Sequence, residues 1–462
     1  MKKLVFLVVA ILAGQLVYAN NITVSNVIIN GQNTGSHFSL VNFDIAWENS
    51  WRTSTNESNY DGAWVFVKFR KKNAFVWQHA TINYGTNGTA ASAGHTQPTG
   101  STVQTPADGK GVWIYRDANG SGYFNLSNVK LRWNYGVDGV ADNDSVEVVV
   151  YAVEMVYVPQ GSFVLGSNGT EYYHLRRGDK DTCFAVNSES SITVGTTSSH
   201  LASTSTSYLQ TGTIAAAYPK GYGAFWCMKY EISQQQYADF LNNIDNAKAT
   251  TRDPGGFSGT HPSLTAPQPE RALGWLNQED VWSFLDWSAM RPMTEFEYEK
   301  ACRGANQMPI ANEYAWGNTT LVNIATPTDL GLSTETWATG NCNLSNSAPA
   351  RCGALATGST NRSQSGATFY GIMEMSGNIF EGVVNALTDG RGFTGLHGDG
   401  YLNASGVYDV SNWPTSGNGY GLRGGSYQST YSYTAQVCDR LNYSYGNSRY
   451  ANTGGRGVRK AE

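Results

Sequence analysis

The stretch "SVEVVVYAVEMVYVPQGSFVLGS", residues 145–167, is almost unbroken in its apolar, β-branched character, and its reading decides how the chain is divided. Such composition favours a strand. No Pro-rich linker flanks it, so a second domain is expected to begin on a strand abutting the first, with the division between residues 153 and 154. Upstream, "AWVFVKFRKK" (Ala63 to Lys72), "GVWIYRD" (Gly111 to Asp117) and "NVKLRWNYG" (Asn128 to Gly136) alternate apolar and polar residues. Period two with aromatic enrichment predicts half-buried strands, and the intervening Gly, Asn and Asp supply turns. An antiparallel β-sandwich over residues 20–153 is the natural solution. Residues 85–108 hold few apolar side chains and read as a long mobile loop. "ADNDSVEVVV" (Ala141 to Val150) admits a calcium loop or a solvated turn entering a strand, and the turn is the plainer reading.

Downstream, three helices are expected. "SQQQYADFLNNI" opens with Ser233 and Gln236 in capping-box positions and puts Tyr237, Phe240, Leu241 and Ile244 on one face. "NQEDVWSFLDWSA" places Asn277 at the cap, with Val281, Phe284 and Leu285 aligned. "TEFEYEKACRG" has Thr294 and Glu297 as a second box and Gly304 as the stop. Beyond Asn306 helix signals give way to aromatic, Gly-punctuated loops. Residues 154–462 therefore read as a loop-rich α+β domain, and loops that long are usually functional or held by ions or disulfides.

Lys2 and Lys3, the apolar run Leu4 to Leu12, and Val17 and Ala19 have the layout of a cleaved signal peptide over residues 1–19. The protein is expected to be secreted or displayed at the cell surface, with no transmembrane segment, since no later run approaches the roughly 20 apolar residues a spanning helix needs. Acids number 36 and bases 31, without a basic block, which argues against nucleic acid as a partner. The six cysteines, Cys183, Cys227, Cys302, Cys342, Cys352 and Cys438, form an even set in an oxidising compartment, so disulfides are expected. Cys342 and Cys352 flank one short loop and are the favoured pair.

Seven blocks then occur in order: "MVYVPQGSFVLGS" (Met155 to Ser167), "YEISQQQYADFLN" (Tyr230 to Asn242), "RPMTEFEYEKACRG" (Arg291 to Gly304), "YAWGN" (Tyr314 to Asn318), "GIMEMSGNIFEGV" (Gly371 to Val383), "LRGGSY" (Leu422 to Tyr427) and "GGRGVR" (Gly454 to Arg459). Together they resemble the formylglycine-generating enzyme, or sulfatase-modifying factor, family over about residues 154–459. The resemblance implies the family's variant of the C-type lectin-like fold. It also implies a copper(I) site of two thiols, the first three residues after the Ser of Gly-Gly-Ser and the second five further on. Counted from Ser426, those positions hold Ser429 and Thr434. Hydroxyls do not replace thiolates as copper(I) ligands, so copper and formylglycine chemistry are not expected. Family relatives that form sulfoxides with histidine-bound iron add a helical domain, whereas the N-terminal part here offers only His37, His79 and His95. The family's calcium loop, by contrast, maps to the carbonyls of Ser376, Gly377 and Ile379 with the Glu381 carboxylate. A second, weaker site maps to Asn323 and Ile324. Calcium suits such hard oxygen ligands, while the plainer reading pairs Glu381 with an arginine such as Arg423.

Residues 426–453 carry six Tyr, five Ser and three Asn. Tyr offers rigid contact area and Ser and Asn adaptable hydrogen bonds, a mixture suited to recognition. Tyr427, Tyr431, Tyr433, Arg440, Tyr443 and Tyr445 are the candidate binding surface, with lining of the domain's own polar core as the competing reading. The expected function is an exported, non-catalytic binding or assembly protein that recognises an extracellular protein or glycan. The alternatives are a structural component of the cell envelope or a surface filament, and an oxidoreductase forming formylglycine at an atypical site. No other catalytic motif stands out.

Overall fold

The strand Val146–Val158 is the spine of the computed structural model, which describes residues 22–462 apart from 326, 333, 358 and 416. The signal-peptide reading of residues 1–19 lies outside the described residues. Val146–Val158 pairs along its length with Asp61–Lys71, from Val146 opposite Lys71 to Val156 opposite Asp61. Its last four residues also pair, on the other edge, with Phe225–Met228. One eight-stranded sheet therefore crosses the division near residue 153. Its path runs Arg291–Pro292, Gly457–Lys460, Phe225–Met228, Val146–Val158, Asp61–Lys71, Val112–Arg116, Ser101–Gln104, with Gln78–His79 beside Asp61–Lys71.

The half-buried strands expected upstream need a correction at the centre of this sheet. Asp61–Lys71 is buried from Asp61 through Phe69, because both of its faces are covered. Ala63, Val65, Val67 and Phe69 join one apolar cluster, shared with the three-stranded antiparallel sheet Thr23–Asn33, Phe38–Arg52, Gly120–Trp133. Trp64 and Phe66 join another, with the helix residues Phe240, Phe284 and Trp287. Burying a side chain of this size stabilises by roughly 1.5–3 kcal/mol, so neither face is left to water. Lys68 is buried too, and its ammonium donates to the Gly400 carbonyl at 2.7 Å. The expected mobile loop at 85–108 instead contains the short helix Ala90–Ala93 and the edge strand Ser101–Gln104. Asp142 and Asp144 form the plainer turn, pairing with His37 and Lys71 at 2.8 Å each.

The protein is mostly sheet with a few helices, an α+β arrangement. Gln234–Asn243, Gln278–Trp287 and Glu295–Arg303 form where expected, each behind a capping box, at Ser233, Asn277 and Thr294 respectively. The boxes satisfy orphan backbone donors at each helix start, which is why these helices were readable locally. The helix Asn246–Arg252, capped by Asp245, lacks such a periodic signal. No helix among the described residues is long and apolar enough to cross a membrane.

The expected disulfides are not formed: all six cysteines are free thiols, five of them buried. The Cys342 sulfur faces the Ser376 carbonyl at 3.2 Å and the Cys352 sulfur the Glu231 carbonyl at 3.8 Å. Cys438 sits 3.0 Å from an Arg303 amine rather than against a second sulfur. Burial raises the thiol pKa throughout this set, that of Cys227 to about 12. Buried ion pairs hold the long loops instead, among them Arg303–Glu313, Arg423–Glu295, Arg440–Glu295 and Arg456–Glu381. Thiol titration of the unfolded, unreduced chain is expected to find all six sulfhydryls. Dithiothreitol should then leave the melting midpoint unchanged, and a shortfall of two thiols would reveal a bridge.

Candidate functional site: a tyrosine patch on a buried arginine

Three of the seven sequence blocks meet in one small sheet. Phe380–Val384 lies between Tyr420–Arg423 and Thr453–Gly454, with Glu381 opposite both Arg423 and Gly454. The chain then leaves this sheet through Gly424 and Gly425, at φ of 89° and 70°. A side chain would be strained in that left-handed region, which explains the Gly-Gly pair. Ser426 follows, fully buried, and its carbonyl accepts from the Ser429 amide at 2.9 Å while the Ser429 hydroxyl accepts from the Ser426 amide at 3.0 Å. Thr434 donates from its hydroxyl to the Tyr431 carbonyl at 2.8 Å, closing the turn of Ser432–Ala435 against Gly425. Both hydroxyls that stand at the expected thiol positions thus serve local turns.

The tyrosines beyond this turn join partners that the sequence reading missed. Tyr431 stacks on Tyr433 at 5.3 Å, and Tyr433 contacts Tyr172 at 4.8 Å. Tyr172 adjoins Tyr173, which stacks on Tyr208 at 3.6 Å, and Tyr443 closes on both Tyr173 and Tyr208. Six rings form one continuous patch, with Tyr431 62% and Tyr172 45% exposed. Of these, Tyr431, Tyr433 and Tyr443 were candidates, whereas Tyr172, Tyr173 and Tyr208 come from far upstream. "EYYH" at 171–174 is a local aromatic signal, but nothing in it indicates the remote partner.

Two candidates prove to be buried. Tyr427 is 5% exposed, packed with Ile379 and Met373, and does not belong to the surface. Arg440 is wholly buried beneath the patch rather than in it. Its amide donates to the Tyr172 carbonyl at 2.8 Å, and its guanidinium to the Tyr173 carbonyl at 2.9 Å and the Tyr208 carbonyl at 3.2 Å. The same guanidinium grips Glu295 at 2.7 and 3.1 Å, and Arg423 reaches Glu295 at 2.9 Å. Burial alone would raise the Glu295 carboxyl, yet Arg440 and Arg423 together hold it down at about 2. Asp439 also supports the patch from below, accepting from the Tyr172 amide at 3.3 Å, and burial lifts its pKa to about 7. Tyr173, at φ +55°, is held in a conformation that a bulky residue rarely adopts. Tyr445 lies apart, its ring against Tyr450.

The candidate calcium ligands, as arranged, do not fit the ion. Glu381 is fully buried, and both of its oxygens accept from Arg456, at 2.8 and 2.5 Å. The pairing is thus with Arg456, across the core, rather than with Arg423. The Ser376 carbonyl faces Cys342, the Gly377 amide donates to Gly424 at 2.7 Å, and the Ile379 amide donates to Glu231 at 2.9 Å. Asn323 accepts from the Leu344 amide at 2.9 Å, and the Ile324 amide donates to Cys342 at 3.0 Å. Calcium takes six to eight oxygens, and the Glu381 carboxylate expected to join these carbonyls is taken up on both oxygens by Arg456. A different acidic group, Asp286 with Asp399 and Asp409, is a loop anchor: the two Asp286 oxygens accept from the amides of Asp399 and Asp409 at 3.0 and 3.1 Å.

A family model described as the sulfatase-modifying factor enzyme 1-like domain matches residues 143–461. That range takes in the whole of the spine strand, beginning just before Val146. No curated protein matches the chain. Among solved structures, a chain titled "Major Tropism Determinant U1 Variant" is similar with a TM-score of 0.26 and 13% identity, over 79% of this chain and 82% of that one. A likeness this loose bears no argument.

Proposed function

This chain belongs to the sulfatase-modifying factor enzyme 1-like family, and from that premise we propose that it is an exported, non-catalytic binding protein. Its N-terminal part, residues 20–153, is a β-sandwich, and its tyrosine patch recognises an extracellular protein or glycan. The observation that carries this reading is the ring-to-ring run of six tyrosines, exposed at Tyr431 and Tyr172 and fixed from below by Arg440. Aromatic surfaces held rigid before binding lose little entropy on contact, which is why they serve as anchors. The hydroxyls of Ser429 and Thr434 support the non-catalytic part, since soft copper(I) requires thiolate there.

Glycan-array and surface-protein pull-down assays on the mature chain test it. The Tyr172→Ala, Tyr431→Ala double variant is expected to bind the captured ligand at least about 30-fold more weakly, the loss of one anchor worth about 2 kcal/mol. Unchanged binding would remove the patch from the reading. A mass loss on a sulfatase-type cysteine peptide incubated with the protein, copper and oxygen would return the family's oxidation to it.

A further inference from the structure

Three buried ionisable groups meet where the N-terminal strands join the family-matched region, and none of them belongs to the tyrosine patch. Asp61 opens the strand Asp61–Lys71, Glu154 lies in Val146–Val158, and Lys229 follows Phe225–Met228. Glu154 stands opposite Ala63, so it shares a sheet face with Asp61. The Lys229 amide donates to the Glu154 carbonyl at 2.9 Å, which continues the pairing of the third strand. The register thus fixes which side chains meet, and all three are buried.

The Lys229 nitrogen lies 2.9 Å from Glu154 Oε2 and 3.4 Å from Asp61 Oδ2. The ring centres of Trp51 and Tyr230 stand 5.0 and 5.4 Å from it. On Asp61, Oδ1 accepts from the Ser50 hydroxyl and the Trp51 amide, at 2.9 Å each, and Oδ2 accepts from the Trp47 indole at 3.0 Å. Glu154 Oε1 is buried with no hydrogen-bond partner. One base against two acids leaves a surplus negative charge in the interior, which is costly unless a proton neutralises it. Burial accordingly raises both carboxyls, that of Glu154 to about 7. Burial alone would lower Lys229, yet Glu154, Tyr230 and Asp61 hold it above its ordinary value. With one proton shared between Asp61 and Glu154, the triad is neutral.

We propose that Lys229 and Asp61 condense to an intramolecular amide, with Glu154 carrying the protons. The ammonium passes one proton to the Glu154 carboxylate, and the free amine attacks Cγ of the protonated Asp61 side chain. The negative charge that develops on Oδ1 meets the Ser50 hydroxyl and the Trp51 amide, two donors already in place. Glu154 then takes a second proton from the nitrogen and gives one to Oδ2, so the Cγ–Oδ2 bond breaks and a water leaves. One Nζ–Cγ bond replaces one Cγ–Oδ2 bond, Glu154 ends as the acid, and nothing is oxidised or reduced. In water such a condensation fails, because amine and acid are both ionised and free to separate. Here burial opposes the charges, and the sheet holds the groups at roughly the 3–3.5 Å separation from which reaction is fast. The product exchanges two buried charges for a neutral amide and ties residue 61 to residue 229 without a thiol.

Mass spectrometry of the full chain, reduced and denatured, tests the proposal. The chain is expected to be lighter than its sequence by one water, and digestion to yield a branched peptide that joins Asp61 to Lys229. Lys229→Arg keeps the charge and cannot form the amide, and Glu154→Gln keeps the shape and cannot take the proton. Both should show the full mass and no branched peptide, with circular dichroism and melting to establish that they fold. The wild-type digest decides the bond by itself even where a variant does not fold. The proposal is overturned if the wild type has its full mass and gives Asp61 and Lys229 in separate peptides, or if the missing water maps to other residues. It is also overturned if folded Glu154→Gln forms the bond to the wild-type extent.

Discussion

Replacing Glu295 by glutamine is expected to lower the stability of the chain by about 3–5 kcal/mol, the usual consequence of removing one partner from a buried ion pair. Glu295 is 1% exposed and answers two guanidinium groups, Arg423 and Arg440, that are themselves buried. Its other oxygen also accepts from the Ala386 amide at 2.7 Å. With the charge gone, Arg440 is left in the interior without its counter-ion, and Arg423 keeps only Glu299, at 3.5 Å. Denaturant unfolding of the chain, with the slope compared between variants, reads the loss directly. A change under about 1 kcal/mol would mean that the pair is not buried as described. The same group sets an acid limb. Its folded pKa of about 2 lies below the ordinary value for glutamate, about 4.3, so its contribution is complete above that value and is lost as pH falls towards 2. The glutamine variant should therefore show a flatter decline than the wild type across that window.

Arg456→Met should cost a comparable amount, again about 3–5 kcal/mol, and should reduce soluble yield. Arg456 serves both oxygens of Glu381 and donates to the carbonyls of Met228, Lys229 and Met373, so five acceptors lose their donor together. Glu231 and Glu374 lie close enough to share the field, and burial raises the pKa of each, that of Glu374 to about 7. Without the guanidinium, three buried acids face one another. Arg456→Lys should recover little, because one ammonium cannot reproduce the planar fork. The calcium alternative is checked on the wild type. A chelator is expected to leave the melting midpoint unchanged, whereas a drop reversed by added calcium would show that Glu381 binds an ion in preference to Arg456.

Which parts of this fold were legible in the sequence follows from how far apart the interacting groups are. Ser233, Asn277 and Thr294 sit three residues from the side chains that complete their boxes, and all three helices appeared where that pattern placed them. The expected thiol positions, Ser429 and Thr434, could likewise be counted along one segment. Arg440, by contrast, reads as a polar residue in a tyrosine-rich stretch. Its burial depends on Glu295, 145 residues away, and on the Tyr173 carbonyl, 267 residues away. The cysteines misled for a related reason: an even count in a chain expected to be exported favours bridges, but pairing requires that tertiary packing bring two sulfurs together, and here all six stay free thiols.

The sequence by itself determined the family blocks and their order, the capped helices, and the loss of both thiols from the segment after Gly424 and Gly425, because each is written in near neighbours. Only the tertiary structure decided that Asp61–Lys71 is covered on both faces, since alternation along a strand reveals its two sides and not what lies against them. The same holds for the site. Tyr431 and Tyr433 were visible as residues, but they become a surface only where Tyr172, Tyr173 and Tyr208 meet them over a buried arginine, a convergence set by packing across the whole chain.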